Sequence, residues 1–528
     1  MQYVSYNVVQ KIRNNYYLYE VTAEWDPVAK RSKQKRKYLG RCDEDGNLMT
    51  PSTVSVVCKN LGEYYLMHQV CIKSGLWNAL CKVYGEDSAK YLFSHSVSRC
   101  LRSCPPTQSP YDIRASILPD FFNMPADSKR LSLDGYLRHI VQVYRRRQEL
   151  FRELAVDDSA VVFDLETLVE PIQYYKLHGI RSHLNFNEFP QKSVFLAMGE
   201  TTRLPFYYRM ANYVGADVDS MRTVASELRG MSVSHTTFYM DDKPFSESEI
   251  GSYLSSDYDM VIILSKDSEF HARICERYNG ADDLETLIYA GVAYKYKAVD
   301  TEFDLAPCRM FFVDNGRDCE EITISFFAKL DQFENTVSKL KWSKTLEKRL
   351  EINYGFSDIR QYFNLAKGED DSIIITRNNE RIRRKEMSFG KSVIITDSEY
   401  DLKTILRLMI KADRFKQDLN IFRTDLQGGA ALFPSNESAE ASLMGDFFSM
   451  VMKSSLIDLI NYSDLSEEMS YLEVISEAAT IKAYWVNGVY GVTPATPEQK
   501  SMFERLGMAV PTAAMRHAQH SSDEKPNY

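Results

Sequence analysis

The sequence predicts an α/β fold built on one mixed sheet, and three observations carry that reading. Five apolar runs of strand length lie between residues 160 and 264. Helical periodicities separate the third run from the fourth and the fourth from the fifth, and the first and fourth runs end in aspartate. The composition, 44% hydrophobic and 26% charged, is that of a folded globular chain, and 528 residues leave room for several domains.

Taken in order, Tyr16 to Trp25 and Lys35 to Leu39 read as two strands around a turn at Asp26 and Pro27. The chain carries a net charge of −9, yet residues 1–60 hold ten Lys or Arg against six Asp or Glu. Lys30, Arg31, Lys33, Lys35, Arg36, Lys37 and Arg41 crowd this hairpin. Such a cluster fits phosphate contacts and equally fits a solvated arm. Arg145 to Arg147, and Arg381, Arg383, Arg384 and Lys385, form two further basic knots. Residues 54–102 have helical spacing, with His68 and His95 on faces where packed core histidines are expected. A proline-rich linker follows at 104–110, and helices resume over 132–154.

In the centre, Ala160 to Phe163 ends in Asp164, Leu165 and Glu166, a buried strand with a carboxylate at its tip. Lys192 to Met198 and Leu204 to Met210 flank Gly199, Glu200, Thr201 and Thr202 as a hairpin. Val218, Met221, Val224, Ala225 and Leu228 keep helical spacing and Gly230 closes that helix. Thr236 to Met240 runs into Asp241 and Asp242, then come a helix from Ser246 and a strand from Met260 to Leu264. Three strands, a crossover helix, a strand, a helix and a strand is the order of a ribonuclease-H-like core. The first and fourth strands should then be parallel neighbours, with Asp164 and Asp241 at adjacent tips.

Residues 272–395 read as a mainly β insertion, with strands at Met310 to Val313, Ile322 to Phe327 and Ser372 to Thr376 and a charged helix from Phe333 to Glu351. Val393 to Thr396 should return as a strand. Ile405, Leu408, Met409, Ala412, Phe415, Leu419, Phe422 and Leu426 then form one helical face, with Lys416 and Arg423 at its edge, pointing toward the sheet. Residues 441–460 form another apolar helix, and a frayed tail is expected past 512. Two carboxylates on adjacent strand tips, joined by a third from a packed helix, would bind two Mg²⁺ or Mn²⁺ for in-line displacement at phosphorus. The same aspartates also suit plain strand-end capping.

Several strings, in order, resemble the DDE-class cut-and-paste insertion-sequence transposases with a tyrosine-arginine-glutamate-lysine signature. They are YYLYEVTAEWDPVAKRSKQKRKYLG at 16–40, FDLETL at 163–168, ETTRLPFYYRM and ADVDSMRT within 200–223, and YMDDKPFSESEI at 239–250. The resemblance implies Asp164 and Asp241 as the first two catalytic, metal-binding acids. In the helical string LMIKADRFKQDLNIFRTDL the signature positions fall on Met409, Ala412, Lys416 and Arg423, of which only Arg423 keeps its chemical type. Lys243 stands where the second motif has glycine. An ammonium at Lys416 cannot ligate Mg²⁺ and can instead neutralise an aspartate, giving a silenced site. Glu166 and Asp413 are the alternatives for a relocated third acid.

The implied organisation is a basic β-hairpin region at 1–50, a helical DNA-binding region at 51–155, and a first part of the core at 156–271. The insertion at 272–395, the last strand and catalytic-type helices at 396–465 and a C-terminal region at 466–528 complete it. The implied activity is DNA hydrolysis and strand transfer at element ends by a homodimer on double-stranded DNA. The rivals are a noncatalytic DNA-binding protein derived from a transposase and a metal-dependent nuclease. Nine Cys without a CxxC pair suit a reducing cytosol, and no apolar run is long enough to span a membrane, so a cytoplasmic protein is expected.

Overall fold

The computed structural model describes residues 4–13, 15–26, 31–48, 56–104, 108–125, 129–169, 191–210, 218–243, 245–266, 268–343, 345–346, 350, 356–428, 436–486 and 489–513. The strands are β1 (Val4–Ile12), β2 (Asn15–Asp26), β3 (Arg31–Cys42), β4 (Val56–Asn60), β5 (Ser159–Val169), β6 (Gln191–Gly199), β7 (Pro205–Met210), β8 (His235–Lys243) and β9 (Asp259–Leu264). They continue as β10 (Glu285–Tyr289), β11 (Val292–Phe303), β12 (Ala306–Asn315), β13 (Phe363–Lys367), β14 (Ile373–Arg377), β15 (Lys391–Thr396), β16 (Lys482–Val486) and β17 (Val489–Val492). The chain forms two compact units, Met1–Gly62 with Ser476–Tyr528, and Glu63–Ile475.

The first unit holds two antiparallel sheets, β1-β2-β3 and β17-β16-β4. The expected hairpin thus gains a third strand, β1, and its turn at Pro27 lies outside the described residues, as does the tail expected past residue 512 from residue 514 onward. Pairing of β4 with β16, Lys482 opposite Asn60, ties the two ends of the chain together. A linear division of the sequence misses that pairing because main-chain bonds between distant strands leave no local pattern.

The second unit is a mixed α/β body around a nine-stranded sheet of order β10-β11-β12-β15-β9-β8-β5-β6-β7. β5 is antiparallel to β6 and parallel to β8, β8 is parallel to β9, and β6 is antiparallel to β7. Residues 160–165 are all buried, as a strand covered on both sides requires. The β6 to β7 turn explains Gly199: a Cβ there would lie 1.9 Å from Asp157 Oδ2, the atom that accepts from Thr202 N and Oγ1 at 3.0 and 2.8 Å. The helix Val218–Arg229 buries Met221, Val224, Ala225 and Leu228, and a Ser246 and Glu249 capping box opens the helix Glu247–Leu254.

The segment expected to be a mainly β insertion is different in two ways. Its strands β10 to β12 extend the central sheet through β15. The rest, among the described residues, is more helix than strand: Ile322 to Phe327, read as a strand, lies inside the helix Gly316–Val337. Its apolar residues satisfy period two over six residues, but Phe326, Leu330, Phe333 and Val337 continue at helical spacing into a satellite core with Phe356, Phe363 and Phe389.

Helices over 63–154 pack with the helix Asn436–Tyr462, which lies against Glu86–Arg102 and Leu133–Tyr144. Buried Arg99 and Asp446 form an ion pair at 2.5 Å across that contact. His68 is buried among Trp77, Phe93, Phe121 and Phe122, and burial pushes its pKa down to about 4. His95 meets Ser109 Oγ at 2.8 Å. Both are packed core residues. Among the described residues, no helix is long and apolar enough to cross a membrane.

Candidate functional site

The pairing of β5 with β8 sets Asp164 opposite Met240, one residue before Asp241, so the two aspartates occupy neighbouring parallel strands as expected. The long helix Leu402–Gly428 packs over β5 with Ile405, Leu408, Ala412, Phe415 and Leu419 buried. Phe415 meets Phe163 with ring centroids 5.4 Å apart, and Phe163 lies equally close to Tyr239. These rings define the sheet face that looks toward the helix. Asp241, two residues after Tyr239, follows it to that face, where its carboxylate forms an ion pair with Lys416 from the helix. Both side chains of the pair are about one-fifth exposed.

Asp164 alternates to the opposite face, in register with Phe195 and Met240. Its side chain is fully buried and is neutralised by Lys243, whose Nζ lies 2.5 Å from Oδ2. A backbone irregularity makes this contact. Asp242 takes a left-handed φ of +53°, and the register between β8 and β9 slips between Met240 and Lys243. One inserted residue returns Lys243 to the face that carries Asp164. The sequence marks Lys243 as a departure from glycine, but only the bulge reveals which aspartate it serves.

Asp413 adds a second carboxylate beside Lys416. Burial and the charge of Asp241 raise its pKa, against the lowering effect of Lys416. Tyr239 beneath them has its hydroxyl pKa raised well above 10 by burial, then by Asp241 and Asp413. Of the signature positions, Met409 is half-buried, Ala412 buried and Lys416 half-buried, while the side chain of Arg423 lies outside the described residues. Glu166 belongs to β5, and its side chain lies outside the described residues too. Among the described residues, no group of three or more His, Cys, Asp or Glu is placed to hold a metal ion.

In the first unit, Arg31, Lys35, Arg36, Lys37 and Arg41 are exposed on β3. The register with β2 sets Arg31 opposite Asp26, Lys33 opposite Glu24 and Lys37 opposite Glu20, so the cationic strand runs beside an acidic one. In that register Arg36 faces Val21 and Lys35 faces Thr22. Tyr38, 55% exposed, packs against Tyr17 and Tyr19 at the end of the stripe. Lys30 and the side chain of Lys33 lie outside the described residues. No protein-family model matches the chain. No curated protein is detectably similar to it either.

Proposed function

We propose that this chain is a DNA-binding protein of transposase descent, built on a ribonuclease-H-like core whose metal-dependent chemistry is silenced. The central strand order β7-β6-β5-β8-β9, with β5, β8 and β9 parallel, supports the core assignment. The observation that carries the function is the double neutralisation: Lys243 on Asp164 and Lys416 on Asp241. A Mg²⁺ or Mn²⁺ pair needs several oxygen ligands converging on one side. Here each carboxylate already holds an ammonium, and alternation sends the two to opposite faces of the sheet. The residues present do not fit that metal pair. DNA contact falls to the exposed cations and tyrosines of β1 to β3, with a dimer on double-stranded DNA as the working assembly.

The deciding assay runs supercoiled plasmid and the DNA flanking the gene with the purified chain in Mn²⁺, beside an Asp164→Ala control. Salt-dependent binding without strand cleavage is expected, and Lys416→Glu combined with Lys243→Gly should raise Mn²⁺ affinity in calorimetry. Robust cleavage that disappears in Asp164→Ala would sink the silenced reading. A second reading rests on the proximity of Asp413 to Asp241: cleavage lost specifically in Asp413→Ala would establish a relocated acid in an active nuclease or transposase.

A further inference from the structure

A cavity of about 250 Å³ lies between the start of β5 and the first turns of the long helix. It opens on the face of Phe163, beside Val161, three residues before Asp164 and on the other side of the sheet from that carboxylate. Its volume is just under the roughly 300–1,000 Å³ usual for small-ligand pockets. Three cations line it: Arg203 from the β6 to β7 turn, and Arg407 and Lys411 from the helix. Arg203 has a left-handed φ of +59°. Among the described residues, no carboxylate lies within ion-pair distance of Arg203 or Arg407. Arg407 donates to Thr404 Oγ1 at 3.2 Å.

Lys411 forms the floor, with its side chain 9% exposed. Its ammonium donates to the carbonyl of Arg203 at 2.9 Å and lies 3.8 Å from Asp458 behind it. Burial, together with Arg414, Arg203 and Arg407, brings its pKa down to about 8, only partly opposed by Asp458. Among its described lining residues, three cations thus face one carboxylate. That carboxylate, Glu200, accepts from the Tyr400 hydroxyl. Val161, Met198 and Leu408 supply an apolar wall.

We infer that this cavity binds a small organic phosphate, with Arg203, Arg407 and Lys411 clamping the phosphate and the apolar wall receiving the group attached to it. Two guanidinium forks and a buried ammonium match the three oxygens and double charge of a phosphate monoester better than a single carboxylate. The inference is independent of the transposase reading, since none of its residues touches the two aspartates.

Calorimetry on the full chain with adenosine 5′-monophosphate, inorganic phosphate and neutral adenosine tests it. Both phosphates should bind and adenosine should not. Arg407→Gln, at a half-buried position, should weaken monophosphate binding by about tenfold or more with unaltered thermal unfolding. Lys411→Met should abolish it, and Arg203→Gln serves in its place if that variant does not fold. No binding of either phosphate at millimolar concentration, adenosine binding as tight as the monophosphate, or an unchanged affinity in Arg407→Gln would overturn the assignment.

Discussion

Replacing Lys243 with Met removes its ammonium from beside the buried Asp164 carboxylate. Asp164 has no exposed side-chain surface, whereas Lys243 keeps 20% of its own. Breaking a buried pair by removing one partner costs about 3–5 kcal/mol, because the remaining charge is stranded. Lys243→Met should fall in that range. Asp164→Asn should cost less, about 1–3 kcal/mol, since the lysine stem reaches toward water and its ammonium can be rehydrated. The double variant Asp164→Asn with Lys243→Met removes both charges and should recover most of the loss, to within about 1–2 kcal/mol of the parent. At the more accessible pair, Lys416→Met should cost only about 1–2 kcal/mol, because both groups retain roughly a fifth of their exposure. Hydrogen exchange of the β5 and β8 amides across a urea series reads the central sheet without interference from the other unit. A Lys243→Met cost below about 1 kcal/mol, or a double variant no more stable than the single, would refute the pairing.

Three further outcomes follow from the same geometry. Changing Lys35, Arg36 and Lys37 together to Ala should weaken DNA binding and reduce the slope of log affinity against log salt by about 2–3, measured by fluorescence anisotropy; an unchanged slope removes β3 from the interface. Asp397 accepts from Met260 N at 2.7 Å, and burial pushes its pKa up to about 6. The folded state therefore keeps a proton that the unfolded chain releases, so this group lowers stability as pH rises from about 4 through 6. Asp397→Asn should gain about 1–2 kcal/mol on the parent at pH 7.5, after discounting the shift for partial exposure, and the gain should shrink at pH 4; a gain independent of pH would contradict the assignment. Phe415→Ala, at a position with no exposed surface beneath the long helix, should cost about 3–5 kcal/mol in thermal unfolding, and a change below 1 kcal/mol would place the helix elsewhere.

Much of the second unit was legible in the chain. The five runs at 160–264 became β5 to β9 in the expected order because a strand buried on both faces must be apolar throughout, and that pattern is local. The long helix announced itself by its spacing, and Lys416 met an aspartate because its place at the edge of that face follows from the helical repeat alone. Where one sequence satisfied two periods, as at Ile322 to Phe327, the reading failed, since six residues cannot separate strand from helix without knowing what they pack against.

By itself, then, the sequence determined which residues are apolar, at what period, and where charge interrupts them; that was enough for the central strands, their helices and a Lys416 turned toward the aspartates, and the structure chose Asp241 over Asp164 as its partner. The tertiary structure alone decided that β10 to β12 lengthen the central sheet, that β16 closes on β4, that two distant segments gather Arg203, Arg407 and Lys411 around a cavity, and that Lys243 pairs with Asp164. The reason is common to all four: each depends on register or on approach between segments distant in the chain, and a single left-handed residue such as Asp242 can reverse the face of every side chain after it without changing the hydrophobic pattern that a sequence displays.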